Sequence, residues 1–178
     1  MNIFDILGPV MVGPSSSHTA GAARIGLMTR KLLGAEPVEV DIRMYGSFAA
    51  TGKGHGTDRA IIAGLLGMEP DDMRIPESFA IAEKEGMKFT FGTADLKGAH
   101  PNSVVLHVKG KNGRERKVQA CSLGGGRIMI NELDGIELNC TCEMPTIVVN
   151  HVDQPGRVAE VTTMLSMLSI NIATMSVY

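Results

Sequence analysis

The sequence has no tryptophan, and only two tyrosines and five phenylalanines among its 178 residues. A core with few large rings is packed from aliphatic and small side chains, and the twelve methionines read as soft packing residues within it. Cysteine is scarce too. In Cys140-Thr141-Cys142 one residue separates the thiols, where a zinc half-site has two, and the single remaining cysteine completes no second pair. A metal centre held by this chain alone is therefore not expected. Neither acid nor base dominates: 17 Lys and Arg stand against 19 Asp and Glu, for a formal net charge of −2. That balance gives no electrostatic footprint for nucleic acid. The one basic cluster, Lys109 to Lys117 interrupted by Glu115, reads as a solvated hairpin turn. No apolar run is long enough to cross a bilayer. Met1 to Asp5 lacks the basic region and cleavage pattern of a signal peptide. Three cysteines without an export signal point to a reducing, cytoplasmic setting.

What the chain does have is one dense stretch, Gly13 to Gly21. A Gly-Pro turn leads into Ser15, Ser16, Ser17, His18 and Thr19, and then into an apolar run with Ala23, Leu27, Met28, Leu32 and Leu33 at helical spacing. Serines before such a run are N-cap residues, because a hydroxyl accepts from the amides that a first helical turn leaves without a partner. Hydroxyls, amides and an imidazole thus gather at the positive end of a helix dipole, which makes a socket for a carboxylate or phosphate. The alternative is a heavily capped helix start with His18 as a polar surface residue.

A second stretch, Thr51 to Arg59, places His55 and Gly56 before another apolar helix pattern running through Ala60, Ile61, Ile62, Leu65 and Leu66, with Thr57 or Asp58 as its cap. Glycine follows Lys53, so the order of a phosphate-binding P-loop is missing, and the stretch itself is read as a flexible loop. Lys53 likewise lacks the phosphate-binding context of a pyridoxal-phosphate lysine.

Strand alternation marks Val38 to Tyr45, Met87 to Phe91, Val104 to Val108, Arg116 to Ser122 and Ile128 to Asn131, and a short helix fills the region before Gly86. His100 and Asn102 fall in a polar turn at the mouth of one strand. Gly124, Gly125 and Gly126 form either an amide-lined concavity or a strand bulge, and Asp134-Gly135 a turn. This is not a regular βαβ alternation. The fold class is α+β with a mixed or largely antiparallel sheet over residues 1–143. A separate tail, residues 145–178, reads as strand Thr146 to Val149, a helix from Val158 to Leu168, and strand Ile170 to Val177.

Taken together, Gly13 to Thr19, Gly52 to Asp58, His100-Pro101-Asn102 and Ser122 to Gly126 make the chain resemble the β subunit of the iron–sulfur L-serine dehydratase (L-serine ammonia-lyase) family. The tail resembles the first half of an ACT domain, with Asp153 to Gly156 at its turn. The second half is missing, so either the chain is shortened, which is the expectation, or the subunit ends early and finds its missing strands elsewhere. The resemblance implies conversion of L-serine to pyruvate and ammonia, and a [4Fe–4S] cluster bound by an α subunit rather than by this chain. It also implies a fold like the allosteric substrate-binding domain of some phosphoglycerate dehydrogenases.

On that basis His55 and His100 are the expected catalytic imidazoles, with Asn102 orienting one of them or the substrate. Ser15, Ser16, Ser17, His18 and Thr19 would hold the substrate carboxylate, together with Gly56, Thr57, Asp58, Gly124 and Gly125. The expected partners are L-serine, the α subunit, and a second copy through the ACT-like tail. The competing reading is a regulatory module that binds serine as an effector.

Overall fold

The computed structural model describes residues 10–177, and Lys53 by its backbone alone. The reading of Met1 to Asp5 as lacking a signal peptide lies outside the described residues. The described residues divide into two compact units, with the boundary between Glu143 and Met144.

The first unit carries strands β1 Pro37–Met44, β2 Lys88–Thr93, β3 Ser103–Gly110, β4 Glu115–Gly124, β5 Arg127–Leu133 and β6 Ile136–Cys140. They form a six-stranded sheet in the order β2-β1-β3-β4-β5-β6. Strand β2 runs parallel to β1, and every other neighbour is antiparallel. The sheet is thus mixed and largely antiparallel, the α+β class that the alternation predicts. Residues at spacing two meet across the ladders on one face: Ile42 opposite Leu106, Leu106 opposite Val118, and Ala120 opposite Ile130. This apolar row is buried in one cluster with side chains of helices α1 Ala22–Leu33 and α3 Thr57–Leu65. On the other face His107 is exposed, as its place in the alternation predicts.

Strand β6 is not among the expected elements, although the Ile-Glu-Leu-Asn alternation of residues 136–139 is a signal for it. It follows the Asp134-Gly135 turn, where both residues have positive φ (52° and 88°), the geometry of a two-residue hairpin loop. The basic cluster Lys109 to Lys117 does enclose a hairpin turn, closed by Gly110 and Arg114 at 2.8 Å.

The stretch read as a flexible loop is a helix. Helix α2 spans Gly46–His55 and ends at Gly56, whose left-handed conformation (φ 69°) lets its N–H reach the Gly52 carbonyl. The helix is imposed from outside rather than by local propensity, since three of its ten residues are glycine. The Ser47 N–H donates to the Pro101 carbonyl at 2.7 Å, and Phe48 is fully buried. Gly46 passes so close to Pro101 that a Cβ there would lie 2.5 Å from its oxygen. Helix α3 then starts at once, with Gly56 at its N-cap rather than Thr57 or Asp58. The short helix expected before Gly86 is α4, Ser78–Lys84.

Helices α1 and α3 cross with backbones in contact. A Cβ on Gly64 would lie 2.0 Å from the Ala23 carbonyl oxygen, and one on Gly26 would lie 2.2 Å from that of Ile61.

The second unit contains helix α5, Arg157–Met167, which has no buried residue. The segments expected as strands, Thr146 to Val149 and Ile170 to Val177, form no ladder among the described residues. One helix and two short segments offer too little apolar contact to hold a two-stranded sheet in water. No helix among the described residues is long and apolar enough to cross a membrane.

The helix crossing generates a stability test. Gly64→Ala forces two backbones apart and should destabilise the chain by about 1–3 kcal/mol. Gly54→Ala adds a methyl where no atom lies within 4 Å, and should stabilise by about 0.5–1 kcal/mol. Urea midpoints of the two variants should move in opposite directions.

Candidate functional site

The helix that begins the first unit opens with a single π-helical turn, Ser16–Gly21, which runs without a break into α1. Ser15 is its N-cap. Its hydroxyl accepts the His18 N–H at 3.1 Å, as the serine cluster predicts. Its carbonyl takes the Thr19 N–H at 2.8 Å and the Ala20 N–H at 3.4 Å, and the second of these bonds opens the turn from α to π width. Such widened turns recur at functional sites. The Ser16 and Ser17 amides lie in the first turn, where a helix supplies no carbonyl partner of its own, so the dipole end presents donors.

Three elements converge on this turn. From the sheet comes the Gly124-Gly125-Gly126 turn between β4 and β5, all three residues at positive φ, with a register shift between Ser122 and Gly124. A Cβ on Gly124 would lie 3.5 Å from Ser17 Oγ, and Arg24 Nη1 donates to the Gly126 carbonyl at 3.0 Å. Of the two readings of this triplet, the register shift agrees with the strand bulge, and Gly125 and Gly126 form the two-residue turn beyond it. From beneath comes Ser122, buried, its hydroxyl without a partner among the described residues. A Cβ on Gly21 would sit 2.1 Å from that hydroxyl oxygen. From the side comes α2. Its residues 47, 51 and 55 recur every four positions and so lie along one stripe. Ser47 Oγ and Thr51 Oγ1 each lie 3.1 Å from His18 Nε2. The His55 ring meets the His18 ring edge-on, with centroids 5.1 Å apart. Phe48 makes a similar edge contact at 5.3 Å, and Thr19 Oγ1 donates to the His55 carbonyl at 3.3 Å.

The structure therefore brings together Ser15, Ser17, His18, Thr19, His55 and Gly124. Thr57, on the first turn of α3, is buried with its hydroxyl unpartnered among the described residues. Asp58 accepts the Arg59 N–H at 2.8 Å. His100 lines a polar cleft of about 410 Å³ with Gln119, Asn131, Glu132, Glu137 and Asn139. The Asn102 N–H donates to His100 Nδ1 at 3.1 Å, while the Pro101 carbonyl takes the Ser47 N–H at 2.7 Å and the Asn102 carbonyl takes the Ser122 N–H at 3.0 Å, which ties this turn to two neighbours of the helix start. Ser47 and Arg24 are neighbours that the sequence reading missed, and Ser122, within the Ser122 to Gly126 motif, has no site role in that reading. Ser47 and Thr51 are recoverable from their spacing to His55 once that stretch is read as a helix.

Burial pushes the His18 pKa below its ordinary value, the nearby His55 adds to the shift, and a hydrogen bond to the Ser47 backbone opposes it. His18 is thus held neutral.

The helix start thus gathers hydroxyls, first-turn amides and two imidazoles in contact, and comparison with known proteins supplies the class. A family model described as serine dehydratase beta chain matches residues 2–87. The chain is 47% identical over 176 residues to the probable L-serine dehydratase beta chain of Bacillus subtilis (strain 168), covering 99% of this chain and 80% of that protein. It is 41% identical over 174 residues to the L-serine dehydratase beta chain of Peptoniphilus asaccharolyticus, covering 97% and 78%. It is also 31% identical over 169 residues to L-serine dehydratase 2 of Escherichia coli (strain K12), covering 82% of this chain and 37% of that one. These relatives make the chain a lyase-associated subunit. It belongs to the L-serine dehydratase beta-chain family.

The depressed His18 pKa has a stability consequence with a definite sign. A histidine whose folded pKa lies below its unfolded value stabilises the fold fully above about pH 6.5, and that contribution is lost as pH falls through the folded pKa. Urea midpoints of the full chain should therefore drop between pH 7 and pH 5, and His18→Gln should flatten that slope.

Proposed function

We propose that this chain, with an α partner, deaminates L-serine to pyruvate and ammonia at a composite site to which it contributes the carboxylate socket and an imidazole. The observation that carries this reading is the convergence of the Ser15 to Thr19 turn, the Gly124 turn and the His55 end of α2 on one place. In this reading the Ser16 and Ser17 amides and the Ser17 hydroxyl hold the carboxylate at the helix start. The start of α3, with Gly56, Thr57 and Asp58, closes the other side. His55 is exposed at the end of α2, next to the socket, and takes the α-proton while the β-hydroxyl departs as water. The enamine product then tautomerises and hydrolyses to pyruvate and ammonia. His100 and Asn102 would meet the reaction from the neighbouring cleft, on the surface offered to the partner.

The family resemblance brings a [4Fe–4S] cluster, and the thiols of this chain do not fit one. Cluster ligation takes three or four convergent thiolates. Cys121 is buried, Cys140 and Cys142 stand 3.9 Å apart, and burial with the neighbouring Cys140 pushes the Cys142 pKa up to about 12. Among the described residues no three His, Cys, Asp or Glu side chains converge to hold a metal ion. In this reading the cluster is held by the α subunit, as the family resemblance implies.

We also propose that the tail is an ACT-like unit that pairs with a second copy. Its exposed Ile147, Val152, Met164, Met167 and Leu168 are apolar surface of the kind that association covers. Deleting residues 145–178 should lower the assembly size seen by size-exclusion chromatography, and an unchanged elution volume would count against this role.

Anaerobic turnover of L-serine by this chain, by the α partner and by their mixture should be seen in the mixture alone. Within the mixture His55→Ala should lower saturated turnover by about 10²-fold or more. The competing reading, serine bound as an effector at the same socket, predicts instead a shifted or less sigmoidal serine dependence with saturated turnover retained.

A further inference from the structure

Three hydroxyls surround the His18 ring, and their other hydrogen bonds limit what each can offer it. Thr51 Oγ1 gives its single proton to the Ser47 carbonyl at 2.8 Å. Toward His18 Nε2, 3.1 Å away, it therefore presents only lone pairs, and the ring nitrogen must carry the proton in that contact. Ser47 Oγ, 3.1 Å from the same nitrogen, is a second acceptor. On the opposite side, Ser15 Oγ accepts the His18 N–H and retains its own proton, which points a donor at Nδ1 at 3.4 Å. Both sides select one neutral tautomer, with the proton on Nε2 and a lone pair on Nδ1. The rings of Phe48 and His55 stand edge-on to His18, and His55 is the charged or titratable neighbour that these contacts bring.

We propose that Thr51, assisted by Ser47, is a positioning residue that locks His18 in the neutral Nε2–H tautomer. The unprotonated Nδ1 then faces the helix start, where it fixes the Ser15 hydroxyl, and proton transfer is left to His55. This deepens the reading of the helix start as the substrate site. Its effect on turnover rests on that reading, whereas the tautomer itself does not.

The test is the pair of imidazole ¹⁵N shifts of His18 in the full ¹⁵N-labelled chain, for wild type, Thr51→Val and Thr51→Ser. It is read beside the pH profile of kcat/KM of the reconstituted complex. Wild type and Thr51→Ser should show a protonated Nε2 and an unprotonated Nδ1. Thr51→Val should move both shifts toward a mixture of tautomers. In the complex Thr51→Val should displace the pH profile and lower kcat/KM by about tenfold to a hundredfold, the scale of a misplaced catalytic group, and Thr51→Ser should restore both. If Thr51→Val loses its dispersed amide spectrum, Ser47→Ala removes the other hydroxyl acceptor and is read in its place. A wild-type His18 protonated on Nδ1, or shifts that ignore the substitution, overturns the proposal whatever the activity. Shifts that move as expected while turnover and its pH profile stay fixed uphold the positioning and overturn the substrate-site reading instead.

Discussion

The first unit depends on two helices touching backbone to backbone. Side chains normally keep packed helices 8–10 Å apart. Here Gly26 on α1 and Gly64 on α3 leave no side chain at the crossing, and each faces a carbonyl of the other helix. The distance between the helices is thus set by main-chain van der Waals contact, which varies far less than side-chain packing. Because α3 follows α2 with only Gly56 between them, fixing α3 against α1 also fixes the end of α2. The bond from Thr19 to the His55 carbonyl and the edge contact of the two imidazoles follow from that placement.

The same logic recurs where the helix start meets the sheet. Gly21 lies over Ser122 with no room for a methyl group, which lowers the π turn onto β4 and brings Ser17 beside the Gly124 turn. The extra residue in the π turn has a geometric result. It rotates Ser15 to Thr19 relative to the apolar stripe of α1, so the stripe faces the core while the His18 ring faces α2. Packing and site geometry are met by adjoining segments of one continuous helix.

Much of this was legible beforehand, and what was missed has a common cause. The strands stood out because one face of the sheet is buried and the other wet, so Val40, Ile42 and Met44 alternate with polar neighbours. The helix start was legible because capping is local chemistry, written in the residues that perform it. Helix α2 was not, because nothing local specifies it. Its glycines disfavour a helix, and what holds it is a bond to Pro101 some fifty residues away in sequence, with the burial of Phe48. Once that helix was read as a loop, the stripe of Ser47, Thr51 and His55 disappeared with it. In the tail the periodicities of a βαβ unit are present, yet periodicity reports which face would be buried and not whether anything is there to bury it.

The donors described at the helix start are hydroxyls, amides and an imidazole that burial disfavours charging, while the Arg24 guanidinium is engaged by the Gly126 carbonyl. Neutral donors and a helix dipole attract an anion weakly in water, by about 0.3–1 kcal/mol for an exposed terminus. The same dipoles act several times more strongly once water is removed and the effective dielectric constant falls. A carboxylate socket of this composition on an open subunit surface would therefore bind weakly until a second surface covered it. If the proposed site is divided between two chains, the division has a physical consequence of its own. In the assembly proposed above, the partner surface would also exclude the water, and the helix start would gain its hold on the carboxylate as the site is assembled.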